Sequence, residues 1–251
     1  MLFRLSFPLP RVPGLKIEDT TALVTGANRG IGKALVEALL AAGAGKVYAT
    51  ARDTDKLPFT DNRVQGLPVD VTDAASVGAA ADAAGDIDLV ISNAGVLNFA
   101  SFLDGDLDVL RQDMEVNYFG ALNVARAFAP ALRRTKGAFV NLNSVVSYAS
   151  MPAIGGYSAS KAAAHSLTLA LRAELGPDGV TVLGVYPGPI DTDMAKDLPM
   201  DKHGVEDTAA AILRGIESGD THIAPDPMAE DVRTAYFDDP RNVEKQFAST
   251  D

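Results

Sequence analysis

The chain has 251 residues, of which 47% are hydrophobic, so it is long enough and apolar enough to form one large α/β domain. Its 33 acidic and 22 basic side chains give a formal net charge of -11, which argues against sequence-independent binding of DNA or RNA. It has no cysteine and three scattered histidines, so we expect no disulfide, no cysteine nucleophile and no metal site.

The first 17 residues predict a loose extension ahead of the folded domain. They carry basic side chains, as a targeting segment would, but Pro8, Pro10 and Pro13 interrupt them and no apolar core of signal-peptide length occurs. No run of the chain approaches the roughly 20 apolar residues of a membrane-spanning helix. We therefore expect a soluble, cytoplasmic protein that does not enter a membrane.

From residue 21 onward, short β-rich segments alternate with helical patterns. The predicted strands cover 21–25, 46–51, a segment that ends near Asp70, 87–92, 137–144, 180–186 and a brief segment within 220–226. The predicted helices cover 30–44, an alanine-rich stretch before the fourth strand, about 106–134, a stretch that begins near Tyr157, and 205–219. This alternation predicts a single doubly wound, Rossmann-type α/β domain over 18–225, with a mostly parallel sheet of about seven strands and helices on both faces.

A glycine-rich turn, T-G-A-N-R-G-I-G at 25–32, follows the first strand, and a helix begins inside it. Gly26 allows a tight turn, Gly30 permits close approach of another backbone, and Gly32 lets the helix pack against the sheet. Free N–H groups and the positive end of the helix dipole then favour a pyrophosphate. A plain glycine turn is the alternative, but the position between a strand and an amphipathic helix favours a dinucleotide site.

This turn resembles the glycine motif of the short-chain dehydrogenase/reductase family. Further family-like segments follow in the same order: D-V-T at 70–72, S-N-A-G at 92–95, Asn117, Ser144, Y-S-A-S-K at 157–161 and P-G-P-I-D-T at 187–192. The resemblance covers roughly residues 15–220. It implies a Rossmann-type fold, a nicotinamide dinucleotide cofactor and the interconversion of a carbonyl compound and an alcohol.

The resemblance also implies which residues hold the cofactor. Asp70 and Val71 would contact the adenine, and Ile190 and Thr192 would bind the carboxamide of the nicotinamide. The remaining expected contacts are Gly26, Asn28, Arg29, Gly30, Ile31, Gly32, Arg52, Asn93, Ala94, Gly95, Tyr157, Lys161, Pro187 and Gly188. An alternative stays open for two of these segments, since Asp70 also suits a cap or turn, and 93–95 suits a turn that ends a strand.

The end of the second strand bears on which cofactor is used. An NAD site usually has an acidic residue there for the ribose 2′-OH, whereas this chain has Ala51 followed by Arg52. Arg52 and Arg29 would suit the 2′-phosphate of NADP(H), because guanidinium groups form bidentate bonds to phosphate. We therefore predict NADP(H). In the alternative, Asp53 binds the ribose and the cofactor is NAD.

Tyr157 and Lys161 lie four residues apart in a predicted helix and therefore share one of its faces. A tyrosine ionises near pH 10, and a nearby ammonium group would lower the pKa of its phenol. By the resemblance, Tyr157 is the general acid/base, Lys161 also binds the nicotinamide ribose, and Ser144 holds the substrate oxygen. Asn117 would fix a water of the proton relay. The half-exposed start of an ordinary helix would explain the tyrosine and lysine alone.

Together these residues predict an NADPH-dependent carbonyl reductase that acts on a small ketone or aldehyde. The alternatives are an NAD-dependent alcohol dehydrogenase and, in a different class, a regulatory protein that binds NADP(H) without turnover. Family members often carry a glycine motif near a tetramer interface, where this chain has Pro225, Asp226 and Pro227. We therefore expect a monomer or homodimer rather than a tetramer, and an irregular acidic tail over 226–251.

Overall fold

A seven-stranded sheet forms the centre of the protein, in a computed structural model that describes residues 12–198 and 200–248. The strand order is β3-β2-β1-β4-β5-β6-β7, and every pairing is parallel. The strands are β1 Thr21–Val24, β2 Lys46–Ala51, β3 Val64–Pro68, β4 Leu89–Ser92, β5 Ala138–Leu142, β6 Thr181–Val185 and β7 His222–Ile223. The predicted doubly wound α/β fold with about seven strands is confirmed.

Helices cover both faces of the sheet. They are α1 Gly30–Ala41, α2 Ala74–Ala84, α3 Leu107–Met114, α4 Gly120–Thr135, α5 Gly155–Leu175, α6 Val205–Ser218, α7 Pro227–Asp238 and α8 Pro240–Ala248. The hydrophobic cores formed with α1 and α6 and with α2, α4 and α5 lie on opposite faces. Within residues 12–198 and 200–248, no helix is both long and apolar enough to cross a membrane.

The strands are apolar on both sides because each side faces a layer of helices. In β1, Ala22 and Val24 point into the core beside α1, and Leu23 points into the opposite core. In β5, Val140 and Phe139 divide between the two cores in the same way. The continuous apolar runs that predicted buried strands therefore reflect two-sided burial.

The long helix predicted near 106–134 contains a π-helical turn, Glu115–Phe119, between α3 and α4. Asp106 caps its start, where the carboxylate accepts a hydrogen bond from Asp108 N, and Lys136, in a left-handed conformation at φ 54°, ends it. Single π turns widen a helix locally and often occur at functional sites. Here the turn contains the buried side chain of Asn117.

The segment 12–17 is packed against the domain, so the predicted boundary at residue 18 is too late. The amide of Val12 donates to Gly219 O at 3.1 Å, and that of Leu15 donates to Ile216 O at 3.2 Å. Ile17 is completely buried. The prediction failed here because Pro13 suits a packed, irregular segment as well as a loose one. Residues 1–11 of the predicted extension lie outside the described residues.

The prediction of irregular structure after Pro225 was wrong. Asp226 is the N-cap of α7 and accepts a hydrogen bond from Ala229 N, and Pro227 occupies the first helical turn. Asp and Pro favour both turns and helix starts, and the prediction chose the former. Together with Val243 and Phe247 of α8, α7 completes a third core beside Tyr157. Residues 249–251 of the predicted tail lie outside the described residues.

The third core gives a test of whether the C-terminal helices are integral to the domain. Phe247 is only 1% exposed, so we expect Phe247→Ala to lower the free energy of unfolding by about 3–5 kcal/mol. Glu244→Ala, on the exposed side of the same helix, is the control and should change it by less than about 0.5 kcal/mol. Urea unfolding of both variants measures the difference. A loss below about 1 kcal/mol for Phe247→Ala would contradict this integral packing.

Candidate active site

A cleft of about 950 Å³ lies at the carboxyl ends of the strands, where the chain leaves β1 and β4 on opposite sides of the sheet. In doubly wound sheets, this switch point is where ligands bind. The predicted residues that line the cleft are Gly26, Asn28, Arg29, Gly30, Ile31, Gly32, Arg52, Asp70, Val71, Asn93, Ala94, Gly95, Tyr157, Lys161, Pro187 and Thr192. Ser144, Gly188 and Ile190 line an adjoining cavity of about 90 Å³, and Asn117 lines neither.

The glycine turn has the conformation that its sequence predicts. Gly26 and Gly30 have φ angles of +66° and +53°, which side chains rarely allow. A side chain on Gly32 would collide with the carbonyl oxygen of Gly26, so the start of α1 packs as closely as glycine permits. Arg29, the N-cap residue, makes no side-chain capping bond. The first turn of α1 therefore presents its N–H groups to an anion in the cleft.

A cluster of hydrogen bonds joins this turn to the one that follows β4. The amides of Asn93 and Ala94 both donate to Thr25 Oγ1 at 2.9 Å. In return, Asn93 Nδ2 donates to Thr25 O at 2.8 Å and to Gly26 O at 3.1 Å. The side-chain amide of Asn93 therefore holds the glycine turn in place.

At the far end of the cleft, the acidic candidate for a ribose contact has other partners. The carboxylate of Asp53 accepts a hydrogen bond from Asp55 N at 3.1 Å and forms an ion pair with Lys56 at 3.2 Å. Arg52 is exposed and lines the cleft. Hydrogen bonds from Thr72 lower the pKa of the nearby Asp70, and the positive charge of Arg52 lowers it further. Arg52 and Asp53 thus both line this end of the cleft, and the carboxylate of Asp53 is engaged by Asp55 N and Lys56.

Arg29, the second predicted phosphate ligand, forms an exposed ion pair with Asp193 at 3.1 Å. This pair crosses the mouth of the cleft between the glycine turn and the segment after β6. Exposed ion pairs contribute little to stability, so the guanidinium group can exchange this partner for a phosphate at small cost.

Tyr157 and Lys161 are buried side by side in the first two turns of α5. The ammonium Nζ of Lys161 donates to Leu142 O, at the end of β5, at 2.7 Å, and it lies 5.7 Å from the ring centroid of Tyr157. Ser144 follows the same strand and is buried, and it caps a short 3₁₀ turn together with Ser147. The end of β5 therefore brings the predicted serine to the tyrosine.

The pKa values of this pair are governed by burial. Burial raises the pKa of the Tyr157 phenol to about 12, against the lowering effect of a hydrogen bond with Ser144. Burial also lowers the pKa of Lys161 to about 8, against the opposing charge of Asp113. Desolvation is thus the largest effect on both groups, and the predicted lowering of the phenol pKa by the charge of Lys161 stays a prediction.

Asn117 uses its whole side-chain amide within the protein. Its Oδ1 accepts a hydrogen bond from Val96 N, and its Nδ2 donates to Val96 O and to Ser160 Oγ, each at 2.9 Å. Ser160 precedes Lys161 in α5, so the π turn, the segment after β4 and α5 are held together. The described contacts give Asn117 a positioning role, and its predicted part in a proton relay stays a prediction.

Comparison with known proteins agrees with this geometry. The sequence profile described as short chain dehydrogenase matches residues 20–203. The chain belongs to the short-chain dehydrogenase family. It is therefore an oxidoreductase that acts on CH–OH or C=O groups, as the sequence predicts.

Two solved structures and one curated relative illustrate the family likeness. A short-chain dehydrogenase from Burkholderia cenocepacia in complex with NADP has a TM-score of 0.90 and 40% identity, over 93% of this chain and 99% of that one. A relative from Burkholderia phymatum in complex with NAD has a TM-score of 0.80 and 26% identity, over 94% and 98% of the chains. Short-chain dehydrogenase PC-15 of Penicillium crustosum is 39% identical over 184 residues, or 70% of this chain and 68% of that protein.

Asp113 is a buried carboxyl at this dehydrogenase site that the sequence analysis missed. It is completely buried in α3, and its Oδ1 accepts a hydrogen bond from Asn98 Nδ2 at 3.0 Å. Its Oδ2 lies against Gly156, just before Tyr157, and has no hydrogen-bond partner in the described part of the chain. The missed signal is an acidic residue in line with Leu110 and Asn117, on the inward face of the helix.

Burial raises the pKa of Asp113 to about 6. Since the unfolded chain ionises this carboxyl near 3.8, its ionisation destabilises the fold increasingly as the pH rises from about 4 to about 6, and fully above that. We expect Asp113→Asn to be more stable than the wild type at pH 7.5 by about 1–3 kcal/mol, and to lose this advantage near pH 4.

Urea unfolding at the two pH values tests this expectation. Asp82→Asn, which removes an exposed carboxyl from α2, is the matched control for the loss of one carboxyl group. An Asp113→Asn variant that is less stable than the wild type at pH 7.5, or equally affected at both pH values, would contradict the proposed cost of ionisation.

Proposed function

We propose that this short-chain dehydrogenase is an NADPH-dependent carbonyl reductase with Tyr157 as its general acid/base. The observation that carries the proposal is the convergence of Ser144, Tyr157 and Lys161 at the inner end of a cleft whose outer end offers a glycine turn and Arg52. The residues expected to contact the cofactor line this cleft and its adjoining cavity, which supports the proposal.

The reaction needs groups that hold and protonate one oxygen atom. When bound, NADPH supplies the hydride that reduces the carbonyl carbon. Ser144 Oγ holds the carbonyl oxygen, and the phenol of Tyr157 donates its proton to the oxygen as negative charge develops there. Burial raises the pKa of this phenol, so Tyr157 carries the proton at neutral pH that the reduction requires. Lys161 then stabilises the phenolate by its charge.

The prediction of NADP(H) rather than NAD is supported by the charged residues near the expected position of the adenosine ribose. Arg52 and Arg29 both line the cleft, and the ion pair of Arg29 is exposed, so two guanidinium groups can turn to a phosphate. Asp53 lines the same cleft, and its carboxylate accepts a hydrogen bond from Asp55 N and pairs with Lys56. A 2′-phosphate would gain charge-assisted bonds there. The second candidate is an NAD-dependent alcohol dehydrogenase. It is supported by the relative from Burkholderia phymatum, whose structure is a complex with NAD. A monomeric or dimeric, cytoplasmic enzyme remains our expectation.

Tyr157→Phe tests the proposed chemistry. Removal of the phenolic hydroxyl should lower kcat for carbonyl reduction by roughly 10²–10⁴-fold, while NADPH binding stays within a few-fold of the wild type. Loss of NADPH absorbance with a panel of ketones, aldehydes and diketones measures turnover, and calorimetric titration measures binding. Tyr48→Phe, which removes a hydroxyl outside the cleft, is the control. Substantial residual kcat in Tyr157→Phe would refute the assignment.

Arg52→Ala tests the cofactor. If Arg52 binds the 2′-phosphate, KM for NADPH should rise roughly tenfold or more, while KM for NADH changes little. Arg126→Ala, which removes an exposed guanidinium group from α4, controls for net charge. An unchanged preference for NADPH over NADH in Arg52→Ala would sink the assignment of this residue.

A further inference from the structure

We propose that the cavity of about 90 Å³ beside Tyr157 is an apolar substrate pocket. It selects uncharged ketones and aldehydes with a hydrocarbon substituent, and it rejects carbonyl compounds that carry a carboxylate, a phosphate or several hydroxyl groups. The inference rests on the proposed function, since the carbonyl must meet Ser144 and Tyr157 at the mouth of this cavity.

The chemistry of the wall carries the inference. Among the described residues that line the cavity, none has a charged side chain. Its side-chain hydroxyl groups belong to Ser144, Tyr157 and Thr192; the first two face the reacting oxygen, and Thr192 donates to a backbone carbonyl 3.3 Å away. Most of the wall is aliphatic, and its methionines are Met151, Met194, Met200 and Met228.

Such a wall distinguishes substrates by the charge of their substituents more than by their shape. A carboxylate or phosphate in the cavity would lose its hydration and find no cation in return. A hydrocarbon group would instead gain affinity, by about fourfold for each methylene buried. Methionine side chains are flexible and polarisable, so the pocket accommodates straight, branched and aromatic groups of similar size.

Asp226 fixes the start of α7, which carries Met228 of the cavity wall, to the segment after β6. One carboxylate oxygen accepts a hydrogen bond from Gly188 N at 2.8 Å, and the other accepts one from Ala229 N at 2.9 Å. The start of α7 is thereby joined to the segment after β6, and Met228 is pressed against Gly188, where a side chain would find no room. The position of the apolar wall is thus fixed by hydrogen bonds and close packing within the fold.

Two compounds of nearly equal shape test the pocket. In 5-methylhexan-2-one an isopropyl group replaces the carboxylate of 4-oxopentanoate. We expect kcat/KM with saturating NADPH to be about 100-fold or more higher for the neutral ketone. A ratio near one, or one in favour of the acid, would overturn the inference.

Variants on α7 sharpen the test. Met228→Lys places a cation in the wall and should shift the ratio at least tenfold toward 4-oxopentanoate. Thr234→Lys adds the same charge on the exposed side of α7 and should retain the wild-type ratio, and Met228→Leu should retain a strong preference for the neutral ketone. Equal shifts in Met228→Lys and Thr234→Lys would assign the effect to net charge and refute the pocket.

Two different measurements distinguish failure of the proposed function from failure of the proposed pocket. If neither compound consumes NADPH, carbonyl reduction of this class is refuted, and saturation-transfer NMR of both compounds with the protein still reports on the pocket. Binding of 5-methylhexan-2-one, with weak or no binding of 4-oxopentanoate, supports the apolar pocket. Equal binding of the two, or binding of neither, overturns it.

Discussion

The whole site depends on the contact between the two turns at the switch point of the sheet. A parallel sheet whose neighbouring connections leave on opposite sides opens a crevice at that point. Thr25 closes the base of the crevice, because its hydroxyl oxygen accepts two amide hydrogens from 93–94 and Asn93 bonds back to the glycine turn. The cleft therefore follows from the topology of the sheet and from one cluster of hydrogen bonds, which fixes the two turns at its base relative to each other.

At the inner end of the cleft, burial sets the electrostatics. Asp113, Tyr157 and Lys161 lie within one poorly solvated region, where the carboxyl and the phenol have raised pKa values and the ammonium group has a lowered one. Each of the three is thus displaced toward its neutral form. In such surroundings a charge that develops on a substrate oxygen interacts strongly with the few polar groups in reach, which is the condition for electrostatic catalysis.

The C-terminal helices α7 and α8 contribute both to the stability of the domain and to the walls of the site around Tyr157. Phe247 and Val243 of α8 share a core with Tyr157 and Tyr186, and Met228 packs against the same core. Asp226 serves both purposes, as the cap of α7 and as the anchor of the backbone at Gly188. The cavity wall beside Tyr157 and the last two helices are in this way parts of one structural unit.

The sequence alone determined the sheet, the glycine turn and the order of the motifs, since these follow from local periodicity and from backbone demands at residues such as Gly26 and Gly32. It also singled out Ser144, Tyr157 and Lys161, which the structure brings together at one end of the cleft. It misjudged the tail after Pro225, where Asp and Pro suit both a turn and a helix cap. Only the tertiary structure decided the balance of pKa values, the burial of Asp113 and the apolar pocket completed by Met228, because burial and long-range contacts depend on segments far apart in the chain.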